Sequence, residues 1–506
     1  MKILTAAQTR AADAYTAEQE NIPSLELMER AVSAFVNWYL NKFSNRVKKP
    51  VLIFCGPGNN GGDGLAIARL LHQHQYVVQV YILASNNKYA PDFTANLNRL
   101  PEAIIPQYLN QISDFPQIPD NAMVLDALFG TGLNRPLTGL ITDLVRHINQ
   151  SSAMVVAVDM PAGLFADVPN APTDAIIEAD YTLSFELPKL AFLLPGTAQY
   201  VGEWTVVPIG LNADFISQSP STHFYISPEV PAKILKIRPK YGHKGSFGHA
   251  LLISGSYGKM GATVLSSRAC LRSGVGLLTV YCPAVGYNIL QTAVPEAMTL
   301  TDPEDNYTSQ LPDITTYNAI GIGPGLGKEA ATRELVSKLL ETTKVPLVID
   351  ADALNIISEN ENFKKSIPEG SILTPHPKEF ERLAGKAQND YYRLTLLKDF
   401  CQQHNCYVVL KGAHTCIGTP EGTYYFNSTG NPGMATGGTG DVLTGIITAL
   451  VAQQYSPLEA CILGVYLHGL AGDLAKANLG EQALLASDIV SYLGQAFLTL
   501  NAHKLN

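Results

Sequence analysis

The sequence predicts two successive α/β domains, each built on a mainly parallel β-sheet. Three observations carry this reading. The chain has 506 residues, more than a single hydrophobic core usually serves. Hydrophobic residues make up 46% of it and charged residues only 16%, a balance suited to deeply buried sheets. Short apolar runs alternate with helix-like stretches, the pattern of strands covered on both faces by helices.

The elements follow in order. Residues 1–50 read as helices, with Leu25, Met28, Ala31, Val32 and Phe35 at helical spacing. VLIF (51–54) reads as a buried strand, followed by glycines and a helix from about Leu65. YVVQVYIL (76–83), AMVLDAL (122–128), MVVAVD (154–159) and ADYTLSF (179–185) are the next strands. The pattern fades in GLNADFISQSPS, which sets a boundary near residue 220 and domains 1–220 and 221–506. THFYISPEVPAKILKIRPK leads into the second domain. Its strands are HALLISG (249–255), GLLTVYC (276–282), NAIGIG (318–323), PLVIDA (346–351), SILTP (371–375), CYVVLKG (406–412) and TYYFNS (423–428). Helices from about Val442, Pro457 and Ala486 complete it, and no short repeat marks a solenoid.

Composition narrows the function classes. A net charge of −9 without a dense lysine or arginine tract argues against a nucleic-acid surface. Seven scattered cysteines without a CxxC pair read as thiols in a reducing compartment, the cytoplasm. MKILTAAQTRAADAYTAEQE lacks the apolar core of a signal peptide, and no charge-free span of about 20 apolar residues suggests a membrane protein. No compact zinc-ligand motif occurs, and a homo-oligomer is the expected assembly.

The sharpest segment is NSTGNPGMATGGTGDVLTGIITAL (427–450). Gly437, Gly438 and Gly440 permit a tight turn, and Asp441 stands just before an apolar helix. Such a turn directs N–H groups toward phosphate, and the helix start adds a favourable field. Asp441 can then take a proton from a substrate hydroxyl; equally, it can simply cap its helix. Neither a Walker A loop nor GxGxxG is present. Further small-residue segments follow strands at 251–262 and 321–327, with PHPKE at 375–379 and KGAHT at 411–415, where ligands commonly bind in α/β folds.

In the first half, FCGPGNNGGDG (54–64) follows a strand and precedes a helix. Gly58, Gly61, Gly62 and Gly64 allow close phosphate approach, and Asn59 and Asn60 add polar side chains; a purely structural turn is the other reading. DALFGTGLNRP places Asp126 and a second glycine-bearing loop after another strand. VVAVDMPAG ends a third at Asp159, which can also fix a turn.

Two family resemblances add to these readings. Residues 230–500 resemble the nucleotide-dependent NAD(P)H-hydrate dehydratases of the ribokinase-like superfamily. The match rests on KGSFGHALLISGSYGKMGA, RSGVGLLTVY, GIGPGLG, VIDADALN, ILTPHPKEFERL, VLKGAHT and NPGMATGGTGDVLTG in one order. It implies a ribokinase-like α/β/α domain with Asp441 as catalytic base. The C6 hydroxyl of hydrated NADH or NADPH attacks a terminal phosphoryl group, and loss of phosphate restores the reduced ring. ADP is the implied donor, giving AMP and phosphate, with ATP as the alternative and magnesium accompanying the nucleotide. By the same resemblance Lys411, Gly412, Ala413, His414, Thr415 and Gly440 surround the adenine nucleotide. Ala262, Gly325 and His376 join Asp441 around the hydrated cofactor. As ordinary residues, Lys411 could merely end a strand, His376 organise the PHP turn, and Asn355 close a surface turn.

Residues 1–215 resemble the YjeF N-terminal family of NAD(P)H-hydrate epimerases through GPGNNGGDG, DALFGTG, the DMPAG position and SFELPK. This implies a Rossmann-like three-layer α/β/α domain that interconverts the R and S hydrates. Asn59, Asn60, Gly61, Gly62 and Asp63 fit one hydrate-binding loop. Gly130, Thr131, Gly132, Leu133, Asn134, Arg135 and Pro136 fit the second. Asp159 is the implied proton-transfer residue, with Lys189 as its electrostatic partner. A potassium site is implied at Asn60 and Asp126, with Ala162 where the family's DxPSG has serine. Ala162 brings no hydroxyl, so only its main-chain carbonyl can serve there. The expected protein is therefore a bifunctional cofactor-repair enzyme. A small-molecule kinase, or a nucleotide-binding sensor with a degenerate first domain, is the alternative.

Overall fold

The computed structural model describes residues 1–44, 49–84 and 89–505. The chain divides into two compact units, Lys2–Ser221 and Thr222–Asn506, with Met1 grouped with the latter.

The first unit holds seven parallel strands: β1 (Val51–Cys55), β2 (Val78–Leu83), β3 (Gln107–Leu109), β4 (Met123–Ala127), β5 (Met154–Val158), β6 (Tyr181–Phe185) and β7 (Glu203–Val207). Their order is β3-β2-β1-β4-β5-β6-β7, and every pair is parallel. The all-apolar VLIFC of β1 is buried throughout, as a strand covered on both faces must be. Val32, Phe35 and Tyr39 of the Ser24–Lys42 helix pack on one face of the sheet; Leu144, Val145 and Ile148 of the Leu140–Asn149 helix pack on the other. β3 and β7 had no counterpart in the sequence reading. Gln107–Leu109 is a short edge strand with two exposed residues, and Glu203–Val207 is only half-buried, so neither shows an apolar run.

The second unit has ten strands: β8 (His223–Tyr225), β9 (His249–Ile253), β10 (Leu277–Cys282), β11 (Met298–Thr301), β12 (Ala319–Ile322), β13 (Leu347–Ile349), β14 (Ile372–Leu373), β15 (Tyr407–Leu410), β16 (Cys416–Gly418) and β17 (Tyr424–Phe426). Their order is β11-β10-β9-β12-β13-β14-β15-β16-β17-β8. Pairing is parallel from β11 to β15, antiparallel through β16 and β17, and parallel again to β8. The Thr439–Ala452 helix runs through the core, buried at every position from Val442 onward, which explains its apolar composition on all sides. Gly445 lets it approach the Met260–Arg272 helix, because a Cβ there would collide with the Ser266 carbonyl. The Pro457–Leu479 helix is long and apolar enough to span a bilayer by composition, yet residues from Ala460 to Ala475 belong to this core.

Each sheet reverses strand order among its central parallel strands, between β1 and β4 and between β9 and β12. Loops leaving the carboxyl ends of two such strands part in opposite directions and leave a crevice.

Candidate active sites

In the first unit that crevice is a cavity of about 550 Å³. Segments following β1, β4, β5, β6 and β7 line it, together with the Ala6–Glu20 helix. Asn59, Asn60, Asp63, the loop Gly130–Arg135, Asp159 and Lys189 all face it; Gly61, Gly62 and Pro136 do not.

The helix expected from about Leu65 begins at Asn59, with Gly58 as its N-cap. The glycines therefore sit inside the first helical turns. A Cβ on Gly61 would collide with the Gly56 carbonyl, and one on Gly64 would lie 2.6 Å from the Ala127 Cβ. Close helix-to-strand packing is what demands these two glycines. Gly58 has open space around it.

Asp159 takes a left-handed backbone at φ 65°, which few side chains tolerate as well as aspartate. Its N–H donates to the Leu183 carbonyl at 2.8 Å, aiming the residue from the end of β5. Oδ1 lies 3.4 Å from the Lys189 ammonium and accepts from the Phe185 N–H at 3.3 Å. Lys189 also donates to the Phe185 and Leu187 carbonyls, and is 2% exposed. Three further charged groups in this cavity, Arg10, Asp13 and Asp92, were missed in the sequence. Arg10 and Asp13 sit on the Ala6–Glu20 helix, which has only two buried residues and whose pattern gives no core face to flag them.

The carbonyl and amide of Asn60 are buried without a partner among the described residues. Asp126, at the end of β4, is fully buried and accepts from the Leu128 and Ala162 N–H groups at 3.1 and 2.7 Å. Burial pushes its carboxyl up to about 7, against the pull of those two bonds. The Ala162 carbonyl accepts from the Ile177 N–H at 2.9 Å.

In the second unit a cleft of about 410 Å³ opens beyond β9, β12 and β13. Ala262, Gly325, Asn355 and Asp441 line it, as does Glu379. Asp441 is the third residue of its helix rather than preceding it, and no side chain caps that helix. The cap position belongs to Gly438, whose φ of 92° and contact with Leu265 suit glycine. Burial, with repulsion from Asp350 and Asp352, pushes the Asp441 carboxyl up to about 7, while Lys411 opposes the shift.

Lys411 ends β15 and donates to Asp350 Oδ1 at 3.0 Å; Thr444 donates to Oδ2 of the same carboxylate at 2.7 Å. Burial disfavours the ammonium, but Asp350, Glu379 and Asp441 outweigh it and hold Lys411 above its ordinary value. Gly440 keeps this corner open, since a Cβ there would meet Lys411 Nζ at 3.2 Å. Gly412 to Thr415 form the turn between β15 and β16, closed by Thr415 Oγ1 donating to the Gly412 carbonyl at 3.1 Å. His414 lies 3.1 Å from the Asn427 carbonyl, and burial lowers its pKa. His376 does not line the cleft. It is the N-cap of the Pro377–Ala384 helix, where Nδ1 accepts from the Lys378 and Glu379 N–H groups. Asn355 accepts from Arg382 at 2.5 Å.

The whole-chain comparison joins the two sites. The bifunctional NAD(P)H-hydrate repair enzyme Nnr of Moorella thermoacetica is 36% identical, over 97% of this chain and 96% of its own. The chain belongs to the bifunctional NAD(P)H-hydrate repair enzymes. The enzyme of that name from Escherichia coli is 34% identical over 87% of this chain and 84% of its own. Within this chain, residues 24–191 match the YjeF-related protein N-terminus model and residues 250–495 the NAD(P)H-hydrate dehydratase model. The crystal structure of the ADP/ATP-dependent NAD(P)H-hydrate dehydratase of Bacillus subtilis, co-crystallised with ATP and Mg2+, superposes with a TM-score of 0.50. It is 32% identical and covers 55% of this chain and 98% of that one.

For a repair enzyme of this family, three residues beyond the sequence reading stand beside the dehydratase cleft. Glu379 lines it, and Asp350 with Thr444 forms the carboxylate–hydroxyl pair behind Lys411. Asp350 was visible as the end of VIDA, but nothing local marks a partner 61 residues away in Lys411.

Proposed function

We propose that the first unit epimerises the R and S hydrates of NADH and NADPH. The second dehydrates the S form at the expense of ADP, yielding NAD(P)H, AMP and phosphate. The placement of Asp441 carries this reading: a carboxyl with a pKa near 7, uninvolved in capping, at a glycine-framed helix start beside Lys411. Asp441 takes the proton of the C6 hydroxyl as that oxygen attacks the terminal phosphoryl group. Lys411 and the N–H groups at the helix start offset the negative charge of the transfer. Hydroxide leaves poorly and phosphate well. The ring nitrogen assists departure, and loss of a C5 proton restores the double bond. Ala262 and Gly325 bound the hydrate position, while the Gly412–Thr415 turn and Gly440 bound that of the nucleotide. Magnesium would enter with the nucleotide phosphates, with Glu379 and Asp352 as the hard oxygen donors of the cleft.

In the first unit Asp159 accepts a proton at the C6 centre, with the Lys189 ammonium 3.4 Å from its Oδ1. Potassium would be held by the unpartnered Asn60 carbonyl, by Asp126 and by the remaining lone pair of the Ala162 carbonyl. Bound there, it would supply positive charge beside the hydrated ring. Cytoplasmic action agrees with seven free, buried cysteines.

The test mixes the protein with separated R and S hydrates under ADP and ATP in parallel. Recovery of reduced cofactor with equimolar phosphate from the S hydrate, and R/S exchange without nucleotide, is the expected result. A stable phosphorylated product would instead make the second unit a kinase.

A further inference from the structure

We propose that Asp13 is a second proton-transfer group of the first unit's cavity, acting with Asp159 on the C6 centre. The proposal rests on the epimerase reading of that cavity. Inverting C6 demands two groups by either available route. In ring opening, the hydroxyl gives up its proton and the C6–N1 bond breaks. Its electron pair goes to N1, which takes a proton, leaving a planar aldehyde that recloses from the other side. In hydroxyl loss, the oxygen is protonated and departs as water while the N1 lone pair forms C6=N1; water then adds to the opposite face and gives up a proton. Each route uses one proton acceptor and one donor; ring opening restores both on closing, whereas hydroxyl loss leaves their protons exchanged, and the reverse turnover or solvent resets them.

Asp159 is built as the acceptor. Its Oδ1 is held by Lys189 and the Phe185 N–H, and its Oδ2 faces Gly130, whose Cβ position lies 3.3 Å away on the cavity wall. Lys189 is turned to structural partners: it is 2% exposed, donates to the Phe185 and Leu187 carbonyls, and lies 3.4 Å from Asp159 Oδ1. The ligand end of the cavity is marked independently by Asn60, 9% exposed, with both amide atoms unpartnered among the described residues. Asp13 reaches the same cavity from the Ala6–Glu20 helix. Asp159, Lys189 and Glu186 are the charged groups acting on it, Asp63 is coupled to it, and Arg10, Asp92 and Arg135 also line the cavity. Burial and the neighbouring carboxylates hold its proton to about 6, so it can give a proton and recover it near neutrality. Burial, with repulsion from Asp159, Asp13 and Asp92, also raises the Asp63 carboxyl.

The experiment measures R/S exchange without nucleotide in the full chain carrying Asp13→Asn, Asp13→Glu or Asp63→Asn. For Asp13→Asn we expect kcat to fall about 100-fold, with KM for the hydrate within about twofold. The wild-type decline in kcat as pH rises through about 6 should vanish in that variant and return, displaced, in Asp13→Glu. A retained KM shows that the cavity is folded. An unchanged kcat, a rise confined to KM, an unchanged pH profile, or a loss seen only in Asp63→Asn overturns the proposal. Absence of exchange in the wild type would instead overturn the epimerase reading beneath it.

Discussion

The dehydratase should switch on with pH through the ionisation of Asp441. A general base works only as carboxylate, and burial with the repulsion of Asp350 and Asp352 has moved this group to about 7, from the usual value near 3.9. With one controlling group, the ionised fraction is about one-tenth at pH 6 and about nine-tenths at pH 8, so kcat should rise about tenfold across that window. An unperturbed aspartate would give no change there. The perturbation that tests the cause is Lys411→Met. Removing a cation that favours the carboxylate should move the midpoint upward, leaving a smaller active fraction at pH 7. The assay is phosphate release from S hydrate at saturating ADP, followed from pH 5 to 9 alongside recovery of reduced cofactor. A flat wild-type profile above pH 5, or a midpoint that moves down in Lys411→Met, would refute the reasoning. Asp441→Asn should lower kcat by about 100-fold or more at pH 8 and flatten the pH profile, while leaving R/S exchange intact.

Three other outcomes are expected. Asp159→Asn should depress R/S exchange about 100-fold yet leave direct repair of S hydrate unchanged, as read by chiral separation of the hydrates. Gly61→Ala should destabilise the first unit by about 2–3 kcal/mol in urea unfolding, because its Cβ meets the Gly56 carbonyl, whereas Gly58→Ala should change stability by less than about 1 kcal/mol. Burial lifts Asp126 to about 7 in the folded chain, above the unfolded value near 3.9, so its contribution to stability is full below about pH 4 and is lost as pH rises through 7. Potassium beside it should therefore raise Tm more at pH 8 than at pH 5; an equal rise with tetramethylammonium would discount the site.

The sheets were readable because central parallel strands are continuous apolar runs, as in VLIF, MVVAV and HALLI. Strands β3, β7, β8 and β11 escaped for the converse reason: each includes exposed or half-buried positions. Glycine misled once. In NNGGDG it reads as a loop, yet Gly61 and Gly64 are helical because backbone and side chains press against them, which local sequence does not report. The glycines around Asp441 were informative, since Gly438 does sit at a turn with positive φ. Sequence candidates on loops and first helical turns that follow strands converge in the two cavities, including Asn60, Gly130, Asp159, Ala262, Gly325 and Asp441. His376 fell into a capping role because its imidazole reaches the two N–H groups that follow Pro377. Asp13 and Thr444 needed the tertiary structure, the one approaching on a separate helix and the other bonded to a carboxylate 94 residues away.

The pairing of Lys411 with Asp350 bears on how the enzyme lets go. An unattached ammonium would grip inorganic phosphate and AMP as firmly as it grips ADP, and turnover would stall on departure. Here the ammonium already rests on a buried carboxylate steadied by Thr444. An arriving phosphate gains only the difference between two partners, and a departing one leaves the ammonium with its first. The same pair that steadies the ammonium thus also limits how long the products hold the site.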